Sequence, residues 1–329
     1  LSDPELKAEV RGESVQYQDI NVGKISGEVN FKNQHLQFKQ TIIPKYSSKL
    51  DGEIDFAEES SKLVITTNGL QAEKIDSIIH DKLILSGRVN AKTEITSLLS
   101  NPNLTSELSV IKGEILEKQK FDTLQLDLSY NLADQKLDLE QGRIAYKDSS
   151  LQLSGAMMGQ ELDFNFNSDS LVWEDINFTD RLEELTGSAE VSGSIYGNLK
   201  NPKLAAKFNA QNVRLAEKAI GDLNGRIDYR NHNIYLTDVG VKARANQYRL
   251  NGSMNLQQKE INQVSVEVTT GTSNYLAQFL PYEWDVSYQF NGQVEVRGAI
   301  TEPQFDVELV VQDTDGRGNL EVTGDYLWE

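Results

Sequence analysis

Cysteine is absent from this sequence, so neither a disulfide framework nor a thiolate metal site is open to it. Proline is held to six residues and histidine to three. Positive charge is also short: 32 Lys and Arg against 50 Asp and Glu leave a formal net charge of −18. That sign repels phosphate backbones, and no basic stripe interleaved with aromatics offsets it, so nucleic acid is not an expected partner. Apolar runs last only a few residues, far below the roughly 20 that a membrane helix needs. There is no initiator Met and no basic leader before an apolar stretch, so Leu1 reads as a cut into a longer protein. Against these absences, 38% of the residues are apolar, with 12 Tyr and 11 Phe, enough to build an ordered body.

What the chain does have is a repeat. Four of the six prolines open one phrase: Asp3-Pro4-Glu5-Leu6, Asn101-Pro102-Asn103-Leu104, Asn201-Pro202-Lys203-Leu204 and Glu302-Pro303-Gln304-Phe305. They divide the sequence into segments 1–100, 101–200 and 201–301, with 302–329 as the start of a fourth. Short segments that alternate apolar and polar residues follow each proline in the same order. Leu36-Gln37-Phe38, Leu137-Asp138-Leu139 and Ile234-Tyr235-Leu236 correspond, as do Leu50 to Phe56, Leu151 to Gly155 and Leu250 to Leu256. Period two marks strands with one wet and one dry face, and the short Asn, Asp, Gly and Lys connections predict antiparallel hairpins.

Once per segment the period changes. Ile75, Ile78 and Ile79 share a helical face, as do Phe178, Leu182 and Leu185, and Tyr275, Leu276, Phe279 and Leu280 before Pro281. One short helix per repeat is therefore expected. Such a helix shields only about a quarter of the apolar sheet surface in its repeat. No flexible linker separates the repeats, because Gly87 to Ala91, Gly193 to Tyr196 and Gly292 to Val296 run as strands toward the next proline. The expectation is a mainly β protein: one elongated, curled antiparallel sheet, a β-taco with its apolar side inside an open groove. The lining expected for it is Leu36, Phe38, Ile54, Phe56, Leu63, Ile65, Leu126, Leu128, Leu137, Leu139, Leu151, Leu153, Phe164, Phe166, Ile227, Ile234, Leu236, Val266, Val268, Phe290 and Val294. An ordinary core in which side chains fill the trough is the alternative.

The joint between repeats, as in Gly197-Asn198-Leu199-Lys200-Asn201-Pro202-Lys203-Leu204 and Gly298-Ala299-Ile300-Thr301-Glu302-Pro303-Gln304-Phe305, resembles the TamB branch of the AsmA-like, bridge-like lipid-transfer proteins of diderm bacteria. The resemblance runs the length of the chain and carries no catalytic signature. It implies a periplasmic β-taco, anchored elsewhere in the chain to the inner membrane and reaching an Omp85-type outer-membrane protein. It also implies transport of phospholipid between the membranes, or help in assembling outer-membrane proteins. An N-terminal membrane helix and a C-terminal module of a complete member are missing, which reads as an internal fragment.

Residues able to carry chemistry do not form a constellation. His35, His80 and His232 lie in three different contexts and read as solvated turn or helix positions. Glu58-Glu59 and Glu183-Glu184 are doublets expected among 50 acids, not a glycosidase pair. Asp313 to Asn319 gathers oxygens and glycines as a calcium loop would, but it lacks a closing Glu and reads as a hairpin turn. Asn103, Asn177 and Asn251 open glycosylation triplets of little weight. The chain is therefore expected to be no enzyme and to hold no cofactor or metal. Its expected ligand is the acyl chains of phospholipids, buried at about 0.8 kcal/mol per CH₂. The alternatives are a scaffold that lends an edge strand to outer-membrane barrels, or an extracellular β-repeat stalk.

Overall fold

The alternating segments form strands, and the strands are longer than the alternation suggests. A computed structural model describes residues 5–17, 20–74, 85–115, 119–176, 184–216, 218–278, 288–313 and 319–327. The chain divides into two units, Leu1–Phe164 and Asn165–Glu329.

The first unit contains β1 (Glu5–Tyr17), β2 (Ile20–Lys32), β3 (His35–Ile43), β4 (Ser48–Asp55), β5 (Ser60–Gln71), β6 (Arg88–Thr96), β7 (Asn103–Ile115), β8 (Gln119–Asn131), β9 (Lys136–Tyr146) and β10 (Ser149–Met158). Each pairs antiparallel with the next. Strand β11 (Glu161–Val172) spans the division. The second unit continues with β12 (Leu185–Asn198), β13 (Lys203–Leu215), β14 (Lys218–Arg230), β15 (Asn233–Ala243), β16 (Asn246–Asn255), β17 (Glu260–Thr272), β18 (Tyr288–Ala299), β19 (Glu302–Asp313) and β20 (Asn319–Leu327), again an antiparallel meander.

The proline joints do not interrupt the ladders. β6 and β7 pair from Arg88–Ile111 to Thr96–Asn103 on either side of Pro102. β12 and β13 do so around Pro202, and β18 pairs through to Pro303, which stands opposite Gly298. Pro202 follows a turn closed by Asn201 N–H to Asn198 O at 2.9 Å, just before the first ladder pair, where no amide hydrogen is needed.

β-Bulges explain why long strands read as short ones. In β3 the register shifts between Phe38 and Thr41, where Gln40 takes the left-handed conformation (φ 51°). One extra residue returns Thr41 to the face that Phe38 occupied, so the sequence shows a break in alternation while the strand continues. The bulged N–H of Gln40 donates to Asp51 Oδ1 at 2.7 Å. The same clamp recurs at Gly69 to Asn90 Oδ1 (2.9 Å), Asn212 to Asp222 Oδ1 (3.0 Å) and Asp238 to Asn251 Oδ1 (2.8 Å). Each uses an acid or amide from the polar side of the neighbouring strand.

Helical structure among the described residues is confined to single turns. Pro44–Tyr46, Ala72–Lys74 and Trp173–Asp175 are 3-10 turns, and α1 (Ser273–Ala277) is one α-helical turn whose Thr272 Oγ1 caps Tyr275 N–H at 3.3 Å. The helical faces expected at Ile75, Ile78 and Ile79 and at Phe178 and Leu182 lie outside the described residues, as do Phe279 and Leu280. Leu185 begins β12 instead of ending a helix.

Dense packing is local. In the first unit Tyr46, Leu70, Ala72, Val89, Val110 and Phe121 form a buried cluster, and in the second Ala189, Ala210 and Val213 form another. Both sit at the strand ends beside the 3-10 turns, with Leu85 and Trp173 packed against them.

Candidate functional site: the apolar face

Antiparallel pairing places residues directly opposite one another on the same side of a sheet, so the ladders identify the faces without ambiguity. In the first unit Val89, Val110, Leu124, Ile144 and Leu151 follow one another across β6 to β10. Leu63, Ile95, Leu104, Tyr130, Leu137 and Met157 form a parallel row. In the second unit Ile195, Leu204, Tyr229, Ile234, Met254 and Ile261 make one row, and Ala210, Leu223, Val241, Tyr248 and Val268 another. Each unit therefore presents one apolar face.

The predicted lining residues fall on this face with one exception. Ile54, Leu63, Leu139 and Val268 are buried, and the others are half-buried. Phe164 and Phe166 lie against glycines of the same side, Gly155 and Gly193. Phe56 is the exception: it leaves β4 for the following turn and is 45% exposed. Alternation also missed members of the face. Val110, Leu124, Ile144, Phe208, Leu223, Val241 and Leu250 belong to it by pairing. Several lie on the far side of a bulge, where simple parity counts them out.

Glycine sets the relief of the face. At Gly193 an added Cβ would stand 2.7 Å from Phe166 Cζ and 2.9 Å from Ala206 Cα, so the ring of Phe166 lies on bare backbone. Two pairs of hydroxyls that enter the face satisfy each other. Thr93 and Ser106 are opposite residues with their hydroxyl oxygens 3.0 Å apart, and Ser48 and Thr67 are likewise paired at 2.7 Å. Near α1, Tyr248 and Tyr275 stack with ring centroids 5.6 Å apart. Burial pushes both phenols above the ordinary tyrosine range, and Tyr275 adds to the shift of Tyr248, so both stay neutral.

Among the described residues the closest backbone neighbours of each strand are its ladder partners and the short helical turns. The opposite face is charged and amide-rich. Its concavity in the first unit, about 460 Å³, is lined by Asn68, Asn90, Lys92, Glu107, Asp127, Gln141 and Arg143.

The other candidates resolve into structural roles. His35 stands with Nε2 3.2 Å from Glu53 and Nδ1 3.5 Å from Asp55, a surface ion cluster that the sequence did not reveal. His232 is in the turn after β14, and His80 lies outside the described residues. Glu58 and Glu59 belong to a turn in which Asp55 Oδ1 accepts from Ala57 and Glu58 N–H. These two amides, ahead of the nearby His35, hold the Asp55 carboxyl below its ordinary range. Glu184 is exposed, Glu183 lies outside the described residues, and so does most of Asp313 to Asn319. Among the described residues no group of three or more His, Asp or Glu side chains could hold a metal, and no helix is long and apolar enough to cross a membrane.

Compared with protein-family models, curated proteins and solved structures, the chain finds no match in any of the three.

Proposed function

We propose that the apolar face carries phospholipid between membranes, with acyl chains on the sheet and headgroups in water. One observation carries this reading: the apolar face is continuous along each unit and only half-buried for most of its length. An apolar surface of that extent marks a binding site or an aggregation hazard. Its uniform Leu, Ile, Val and Phe composition lacks a deep well, which suits a ligand that slides. On this reading the chain is built from repeats of about 100 residues, each with one short helix, joined into an elongated, curled groove. The recurrence of helical turns at Ala72–Lys74, Trp173–Asp175 and Ser273–Ala277 supports it, as does the equal distance of the bulges Gln40 and Asp238 from Pro4 and Pro202. The resemblance of the proline joints to the TamB-like proteins would place it in the periplasm, with an inner-membrane anchor and an Omp85-type partner engaged through other parts of the protein.

The test is purification without detergent, followed by lipid extraction and a vesicle-to-vesicle transfer assay. The unaltered chain is expected to retain phospholipid. Phe166→Asp and Leu236→Asp, both half-buried, are expected to lose retention and transfer while their circular dichroism stays that of a β protein. Full retention by both folded variants would overturn the reading.

A second reading has its own support. Among the described residues β1 pairs only with β2, and Leu6 and Val10 on it are 60% and 39% exposed. Such an edge is able to receive a strand from an outer-membrane barrel in assembly. Proline at Ala8 would abolish that role and leave lipid transfer intact.

A further inference from the structure

The basin beside α1 in the second unit differs in charge from the rest of the chain. It measures about 560 Å³, and among the described residues its lining includes Lys242 and Arg244, with Arg214 beside them and Asp222 as the carboxylate. Among the described lining residues cations outnumber acids, in a protein of net charge −18.

Its walls are fixed by hydrogen bonds. Tyr275 OH donates to Ile220 O at 2.8 Å, and the Gln278 amide bonds both Ala219 N–H and Ala219 O at 3.1 Å. Asn246 donates to Ala243 O at 3.0 Å and accepts from Thr272 N–H at 2.8 Å. The acid is itself engaged, since Asp222 Oδ1 accepts the bulged N–H of Asn212. That bond draws part of its charge away from the cations.

Corresponding turns differ in what neighbours the cation. After β3, Lys45 lies over the ring of Tyr46 at 5.1 Å, and after β9, Lys147 lies over Tyr146 at 4.8 Å. After β15 the corresponding cation is Arg244, flanked by Ala243 and Ala245, with no ring beside it in sequence.

We infer that this basin binds a phosphate group. Arginine and lysine together suit a tetrahedral oxyanion, the first through paired N–H donors and the second as a compact charge. Val213, Ala219 and Ala243 on the same walls admit an apolar neighbour to the phosphate. A lipid headgroup as its source rests on the lipid reading above; the phosphate site itself does not.

The experiment is calorimetric titration of the full chain with three probes: inorganic phosphate, dihexanoylphosphatidic acid below its micelle concentration, and uncharged dihexanoylglycerol. Binding of either phosphate probe is expected to weaken with added salt. Lys242→Gln with Arg244→Gln should lower that affinity about tenfold or more, and Lys242→Arg with Arg244→Lys should preserve most of it. Ala245→Tyr, which fills the space and removes no charge, should also weaken it. Tighter binding of the phosphatidic acid than of inorganic phosphate assigns the site to lipid, and equal binding assigns it to free phosphate. Failure of both phosphate probes to bind, or binding unchanged in the double Gln variant, overturns the site. If Phe166→Asp leaves lipid retention untouched while inorganic phosphate binding still depends on Lys242 and Arg244, the lipid reading falls and the basin stands.

Discussion

The two ends of the strands in the first unit use similar residues to opposite effect. At the end bearing the Pro44–Tyr46 and Ala72–Lys74 turns, Val110 and Ala72 are fully buried and Phe121 is 2% exposed. At the other end Phe56, Leu99 and Leu132 in the turns and Met158 at the end of β10 are exposed by 45 to 61%. The second unit repeats the contrast, with Ala210 and Val213 buried at one end and Leu199, Leu256 and Ile300 exposed at the other. Hydrophobicity alone therefore does not decide burial in a one-sided sheet. Burial is deepest beside the helical turns, although Ile54, Leu63 and Leu139 are also buried away from them.

The largest effect expected from this contrast is on stability. Phe121→Ala opens a cavity in the closed cluster and should cost about 3–5 kcal/mol, whereas Leu132→Ala and Met158→Ala should stay within about 0.5 kcal/mol. Urea unfolding followed by circular dichroism measures all three. Similar losses at both ends would erase the distinction between them.

Between the ends, the face is shaped by close contacts that a single residue can disturb. Gly193→Val would drive a side chain into the space held by Phe166 and should cost about 1–3 kcal/mol. Adding Phe166→Ala should return only the part of that loss due to the ring, because the backbone oxygen of Ala205 stands closer still. Strict additivity in a double-mutant cycle would mean that ring and glycine are independent.

A smaller effect is expected where polarity enters the face. Thr93→Val removes one hydroxyl and leaves Ser106 without the partner 3.0 Å away, at a cost of about 1 kcal/mol. The paired change Thr93→Val with Ser106→Ala should be close to neutral. If the pair costs as much as the single change, the hydroxyls are serving something other than each other.

Much of this architecture was legible in the sequence, because period two survives between the bulges and the dry side is apolar. Leu126, Leu128, Leu137 and Leu139 lie on the face that their alternation marks. What was illegible is what parity does not encode. A bulge such as Gln40 shifts the phase, so residues beyond it read as belonging to the wrong face. Phe56 continues the alternation of Ile54 in sequence, but the strand ends at Asp55 and the ring enters a turn. The basic basin escaped notice because Arg214, Lys242 and Arg244 are dispersed along the chain and meet through a bulge, a hairpin turn and α1.

The smallest effect separates two copies of one device. Asp51 and Asn251 both accept the N–H of a bulged residue, but only Asp51 titrates. Its hydrogen bond from Lys49, and then that from the Gln40 amide, hold its carboxyl below the ordinary range. A depressed carboxylate stabilises the fold above its unfolded pKa, and that contribution is lost as pH falls through the lower folded value. At neutral pH, Asp51→Ala and Asn251→Ala should each cost about 0.5–1 kcal/mol, a modest figure because the Asp51 side chain is 45% exposed. In acid below the ordinary carboxylate range, the cost of Asp51→Ala should shrink while that of Asn251→Ala persists. Asp51→Asn should hold the bulge at both pH values, since an amide oxygen accepts the same bond. Equal pH dependence in the two alanine variants would show that the Gln40 clamp owes nothing to the charge of Asp51, and that the two bulges are held in the same way.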